Sequence, residues 1–222
     1  MTWLGFAGVF AAFFATHSLP TRPRVRDRLM ARLGPGGFTL AYSVLSLAML
    51  LWLIRAAGAA PFVMLWPQAP WQIAVVHAGM LAVCLIVALS VARPNPFSFG
   101  GAGAERFDPD RPGIVRWFRH PLLVALAAWA GLHLLPNGDL AHLLLFGVLG
   151  SFALAGRGLI DRRKRRRMGA EVWADLRTRV TASPMLPRPA SWRGALVRIA
   201  AGGALYLTLV WLHPLIAGVT IR

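Results

Sequence analysis

The chain has 222 residues, 57% of them hydrophobic and only 14% charged, with a mean hydropathy of +0.57 and a formal net charge of +16. A soluble domain carries about 25% charged residues, so this composition lacks the polar surface to face water all round. The basic excess does not imply a nucleic-acid partner either, because it is confined to a few connections between apolar runs.

Runs of about 18 or more apolar residues read as membrane-spanning helices. Six occur, at about 2–19, 37–57, 71–92, 120–135, 140–157 and 194–213. The expected fold is therefore all-α: a polytopic membrane bundle of six transmembrane helices, formed by a single integral-membrane domain over 1–222. The first run lacks a basic leader and a small-residue cleavage site, so it is expected to be a retained helix.

The first span ends in "FFATHS" and gives way to "SLPTRPRVRDRLMARLGPGG" (Ser18–Gly37), expected as a connection with a short amphipathic turn. The second span opens on "FTLAYSVLS", and the third carries the lone cysteine, Cys84, which excludes disulfides within the chain and a thiolate metal site. "RPNPFSFGGAGAERFDPDRPGIVR" (Arg93–Arg116) is too polar to cross a membrane and too rich in proline and glycine to be helical. The fourth span begins at "RHP", where Pro121 suits a first helical turn and holds His120 just inside the apolar zone. In "LPNGDLAH" (Leu135–His142), Asn137-Gly138 suits a positive φ and Asp139 suits a helix cap. Beyond the fifth span lies "DRRKRRRMG" (Asp161–Gly169), then Glu171–Arg179, helical in pattern with Trp173 and Leu176 on one edge.

Of 24 Lys and Arg, five lie in 20–35, five in 93–119 and eleven in 157–193. Basic residues collect in cytoplasmic loops, so these connections are expected inside and both termini outside the cytoplasm. This topology assigns a depth to each histidine. His17 and His120 share the inner layer, and His77, His133, His142 and His213 form an outer group.

Two histidines at one depth on different helices suit a bis-histidine haem b, which makes His17 and His120 candidate iron ligands. Phe10, Phe13 and Phe14 share the face of His17, and Tyr42 enters the same layer from the second span. Arg116 and Arg119 could pair with propionates, and Tyr42 and Asn95 are candidate polar neighbours. A histidine near a helix end can equally be an interfacial or hydrogen-bonding residue, and that alternative stays open. The outer His133, Asp139 and His142 could hold a divalent metal with His77 or His213, although their spacing matches no metal motif.

"FFATHS", "YSVLSL", "GIVRWFRHP", "HLLPNGDLA", "DRRKRRRMGAEVW" and "WLHPLIAGV", in that order, resemble the NnrU family over nearly the whole chain. The resemblance implies a multi-pass protein of the bacterial cytoplasmic (inner) membrane associated with denitrification and nitric oxide or nitrite metabolism. The family is similar to 15-cis-zeta-carotene isomerase, a haem b enzyme, whose presumed ligand positions fall on His17 and His120. This implies a haem-dependent isomerase-like activity on a small hydrophobic or nitrogen-oxide ligand, with membrane lipid as the surrounding partner. The "RHP" start and basic tail also resemble isoprenylcysteine carboxyl methyltransferases, in which a histidine and a downstream acid shape an S-adenosylmethionine pocket. A non-catalytic partner that helps assemble a respiratory complex is the third reading.

The charge distribution yields a direct test. A reporter fused to the C-terminus is expected to be active only when it requires export. Activity restricted to the cytoplasm would overturn the assignment of depths.

Overall fold

A computed structural model describes residues 1–99, 103–186 and 188–219. Its helices are α1 (Trp3–Ser18), α2 (Pro23–Gly58), α3 (Pro70–Ser90), α4 (Pro121–Leu134), α5 (Leu140–Met168), α6 (Ala170–Ala182) and α7 (Trp192–Ala217). Among the described residues the one β-type contact is an isolated bridge between Met64 and Asp139. Helices α1, α2, α3, α5 and α7 are long and apolar enough to cross a membrane. α4, with 14 residues, is shorter. At 1.5 Å per residue it extends about 21 Å, less than the ~30 Å hydrocarbon core.

Two connections differ from the sequence expectation. The 20–35 segment is mostly helical: α2 starts at Pro23 and bends at Gly34, whose φ of 69° and ψ of 168° leave the helical region just before Pro35. Glycine tolerates that left-handed φ, and Pro35 cannot continue the ladder back across it, so one pair of residues both breaks and restarts the helix. α5 likewise continues to Met168, past the apolar run expected to end at about 157. Its 29 residues extend about 43 Å, so the helix carries Asp161 and the basic run beyond the ~30 Å apolar layer.

The chain divides into two compact units. The first contains residues 1–66, 138–145 and 212–222. Here α1 packs on α2 through Phe6, Val9 and Phe13, all buried, with Leu53 and Ala56 buried from α2. Thr2 caps α1 by accepting from the Gly5 amide at 3.1 Å. Arg55 Nη2 donates to the Leu215 carbonyl at 2.7 Å, satisfying an oxygen near the end of α7. The turn at Asn137–Asp139 is closed by backbone bonds: Leu65 N and Trp66 N donate to Gly138 O, and Leu140 N donates to Val63 O. Asp139 caps α5 as expected, accepting from the His142 amide at 3.1 Å.

The second unit contains residues 67–137 and 146–211. α3 and α4 pack tightly enough that a Cβ on Gly79 would lie 2.5 Å from a Leu132 methyl. α4 and α5 run antiparallel in this unit, with Trp129 against Phe146, Ala130 against Gly150 and Leu123 against Gly156. Small residues at the last two places let the helices approach, as membrane helix pairs require. Gly202 of α7 meets the α3 backbone at Leu85. Beside the helices, a cluster of Phe97, Val115, Trp173 and Val180 packs with Phe107, Met168 and Leu176, so α6 docks through the edge marked by Trp173 and Leu176.

Gly138 is needed for a reason other than the expected positive φ, which is found at Gly34, Gly103, Gly113, Gly169 and Gly218. A Cβ on Gly138 would sit 2.0 Å from the Trp66 carbonyl oxygen, a backbone atom that cannot swing away. Gly138→Ala is therefore expected to destabilise the protein by about 2 kcal/mol through overpacking. Thermal unfolding in detergent would show the loss, and a transition matching the wild type would refute the close-approach explanation.

Candidate functional site

The sequence singles out His120, and in the second unit it is almost fully buried, with 2% exposure. It stands immediately before α4, with Pro121 supplying the first helical residue. From there its Nε2 reaches Asp161 Oδ1 at 3.0 Å and its Nδ1 reaches Ser98 Oγ at 3.1 Å. The contact with Asp161 continues the α4–α5 register, because α5 brings its first acidic residue alongside the start of α4.

Asp161 is held from a second side. Arg119 Nε donates to Oδ1 at 3.0 Å and Arg119 Nη2 to Oδ2 at 2.5 Å, a bidentate pair. The side chains are partly shielded, at 30% exposure for Arg119 and 20% for Asp161. Asn95 supports the same place from the connection: its Nδ2 donates to the Arg119 carbonyl at 3.1 Å, and its Oδ1 accepts from the Phe97 amide at 2.9 Å. Asn95 and Ser98 are both buried, at 6% and 4% exposure.

These contacts fix the histidine tautomer. An ionised carboxylate can only accept, so the neutral imidazole carries its hydrogen on Nε2, toward Asp161. Nδ1 is then left with a lone pair, and the Ser98 hydroxyl donates to it. Serine, histidine and aspartate stand in hydrogen-bonded order, with an arginine behind the carboxylate. A base oriented by a carboxylate and facing a hydroxyl is an arrangement that can move a proton.

The other sequence candidates fall in different places. His17 lies in the last turn of α1, in the first unit, stacked on Phe13 with ring centroids 5.6 Å apart and an interplanar angle of 9°. Tyr42 is beside it as expected, with centroids 5.5 Å apart, and donates to the His17 carbonyl at 3.0 Å. His17 and His120 belong to different units, so neither unit contains both. Arg116 is not at the carboxylate: its Nε donates to Ser183 O at 2.9 Å. The outer histidines have protein partners. His77 Nδ1 meets Tyr206 Oη at 2.7 Å, His133 Nδ1 meets Trp129 O at 2.8 Å, His142 Nδ1 meets Asp139 Oδ2 at 2.6 Å, and His213 Nδ1 meets Val219 O at 2.9 Å. Among the described residues no group of three or more metal-ligating side chains occurs.

A haem on His120 makes a definite demand on this geometry. A metal-bound imidazole keeps a hydrogen-bond acceptor on its far nitrogen, and Asp161 is such an acceptor. The near nitrogen must offer its lone pair, however, and here Ser98 takes it while the ring is sealed from contact. As arranged, His120 does not fit an iron ligand unless Ser98 turns away.

The family model described as NnrU protein matches residues 5–221. The chain belongs to the NnrU family. It is a membrane protein of that type. No match was found among curated proteins or among solved structures.

Sequence reading missed Ser98 as a partner of His120. It stands in an irregular segment, where no periodicity reports direction. The available signal was "PNPFSF", in which two polar residues three apart are flanked by phenylalanine and proline. Two substitutions separate the contributions to this NnrU site. Asp161→Asn removes the charge that Arg119 and His120 share and is expected to cost about 2 kcal/mol. Ser98→Ala leaves one imidazole nitrogen unbonded and is expected to cost about 1 kcal/mol. Unfolding of the purified variants in one detergent would rank them, and equal stability of Asp161→Asn and wild type would contradict the role given to the carboxylate.

Proposed function

We propose that this NnrU protein is a multi-pass protein of the bacterial cytoplasmic membrane whose chemistry is acid–base and runs through Ser98, His120 and Asp161. The observation that carries the reading is a pair of contacts: a 2%-exposed imidazole sets Nε2 at 3.0 Å from Asp161 Oδ1 and Nδ1 at 3.1 Å from Ser98 Oγ, so with an ionised carboxylate the Nδ1 lone pair faces the hydroxyl. In this reading His120 accepts a proton at Nδ1 as the Ser98 oxygen takes on negative character toward a ligand. Asp161 stabilises the imidazolium through Nε2–H, and Arg119 holds the carboxylate in place. Asn95 orients Arg119 through its backbone carbonyl and so fixes the geometry without touching the proton. The ligand class is a small hydrophobic molecule or a nitrogen oxide, as the family's association with nitric oxide and nitrite metabolism suggests.

A second reading is favoured by one specific contact. Asp161 on the far nitrogen is the outer acceptor that a metal-bound histidine keeps, which favours haem b on His120; His17 as the other ligand and Arg116 and Arg119 as propionate partners are the sequence-based part of this reading. When bound, haem would supply redox or ligand-binding chemistry in the manner implied by the isomerase resemblance. The contact with Ser98 weighs against it.

Two measurements on the full chain in detergent decide between the readings. In nitrogen-15 spectra of histidine-labelled protein, the acid–base reading expects a protonated Nε2 and an accepting Nδ1 at His120. Ser98→Ala should shift Nδ1, and Asp161→Asn should shift Nε2. The optical spectrum should show no low-spin haem band. A haem band that His17→Ala and His120→Ala each abolish, while Ser98→Ala leaves it intact, would replace the first reading with the second.

A further inference from the structure

Beside the histidine centre lies a cleft of ≈ 100 Å³ whose wall includes Arg116, Arg119, Arg177, Trp117, Thr181 and Phe97. We propose that this cleft binds a small oxyanion: a phosphate or carboxylate group, either free or carried by a lipid headgroup. The proposal is independent of the acid–base reading and shares only Arg119 with it.

Charge is the first ground. Three guanidiniums line one small space, and its lining contains no carboxylate. Asp161 engages one of them, Arg119, from the side of His120. Like charges gathered around a solvent-reached hollow repel one another, and an anion within it removes that repulsion.

Donor geometry is the second ground. Arg116 uses Nε on the Ser183 carbonyl, and its two terminal nitrogens have no hydrogen bond among the described residues. Arg177 lies over the Trp173 ring at 5.4 Å, and no hydrogen bond to its guanidinium occurs among the described residues. A guanidinium held over an indole by cation–π attraction keeps its N–H groups available, which suits bidentate capture of an oxyanion.

An unsatisfied donor beside the cleft is the third. Trp173 is 9% exposed, and its Nε1 is buried with no hydrogen-bond partner. It packs in one cluster with Phe97, Val115 and Val180, which also line the cleft, and Arg119 and Arg165 face its ring along with Arg177. A buried indole N–H without an acceptor is costly, and native proteins seldom leave one so. Trp173 does not itself line the cleft, so a water bridging from it, and not the anion, would supply the acceptor.

Size narrows the ligand. A cleft of ≈ 100 Å³ that opens to solvent has room for one phosphate or carboxylate group, with the rest of any larger molecule left outside.

The test uses the full chain in an uncharged detergent at low salt, followed by calorimetry and tryptophan fluorescence. Inorganic phosphate and nitrite form one arm. Short-chain phosphatidylglycerol, against phosphatidylcholine as control, forms the other. Saturable binding is expected in at least one arm, weakened about tenfold or more by Arg177→Gln and by Arg116→Gln, the loss of one charge-assisted hydrogen bond. Arg166→Gln, an exposed change on α5 outside the cleft, should leave it unaltered. Saturation by the free anions identifies a soluble ligand, and saturation by phosphatidylglycerol alone identifies a headgroup. Because Arg116 also holds Ser183, Arg177→Gln decides if Arg116→Gln fails to fold. Binding that does not saturate, that survives Arg177→Gln, or that falls equally in Arg166→Gln would reduce the effect to the chain's general positive charge and overturn the site.

Discussion

Three hydrogen bonds converge on the Asp161 carboxylate, two from Arg119 and one from His120, and much of the second unit is arranged around them. Asp161 is the only acidic residue on α5 and is followed at once by basic residues. At the rim of an apolar layer a guanidinium and an imidazole need an anionic partner close by, because the alternative is partial burial without one. By binding both, Asp161 ties α5 to the residues immediately before α4. The order then propagates: Asn95 Nδ2 donates to the Arg119 carbonyl, its Oδ1 accepts from the Phe97 amide, and the Phe97 ring meets Trp173 edge-on with centroids 6.3 Å apart. The docking of α6 is thus the far end of a chain of contacts that begins at one carboxylate.

Arginine serves two purposes in this NnrU protein. Most arginines lie in three connections, where their number carries topological information. Arg55 and Arg198 are exceptions within spans or at their ends, and both satisfy backbone oxygens near helix ends. Arg55 donates to Leu215 O, while Arg198 Nη1 donates to Ala88 O at 2.8 Å and to Val91 O at 2.9 Å. The last carbonyls of a helix have no partner within it, and in a membrane water is scarce enough that an arginine reaching from a neighbouring helix is a stabilising substitute. A residue that looks like noise in the charge count therefore has a specific local cause.

The helices were legible in the sequence because their signal is length and apolarity, and neither depends on what each side chain touches. The kinked helical start of α2 was not. Five arginines and several prolines there read as a loop, yet arginine is a good helix former, and Pro23 and Pro35 each stand at a helical start. At the site, "RHP" marked the helix start that holds His120, and Asn95, expected as a polar group near it, lies against the Arg119 carbonyl. His17 with Tyr42 emerged by the same matching of depth. Depth, however, carries no information about rotation around a helix axis or about partners in irregular segments. That is why the contact of Arg116 Nε with the Ser183 carbonyl was not foreseen, and why Ser98 went unnoticed.

The tautomer constrains any chemistry at this centre. Asp161 can only accept, so His120 has one lone pair to give, and Ser98 already uses it. A proton, an iron or a ligand hydrogen must each compete with the same hydroxyl, which makes Ser98 the group that gates access to His120. The hydroxyl can rotate away for about 1 kcal/mol, the net value of one neutral hydrogen bond. Displacing the nitrogen from Asp161 costs more, since that bond is charge-assisted and its loss leaves Arg119 to hold the carboxylate alone. The centre is therefore stiff on its carboxylate side and yielding on its hydroxyl side. Arg119 extends the asymmetry outward, because the same guanidinium that braces Asp161 also lines the basic cleft. The stiff side of the centre and the wall of the cleft therefore meet in a single side chain.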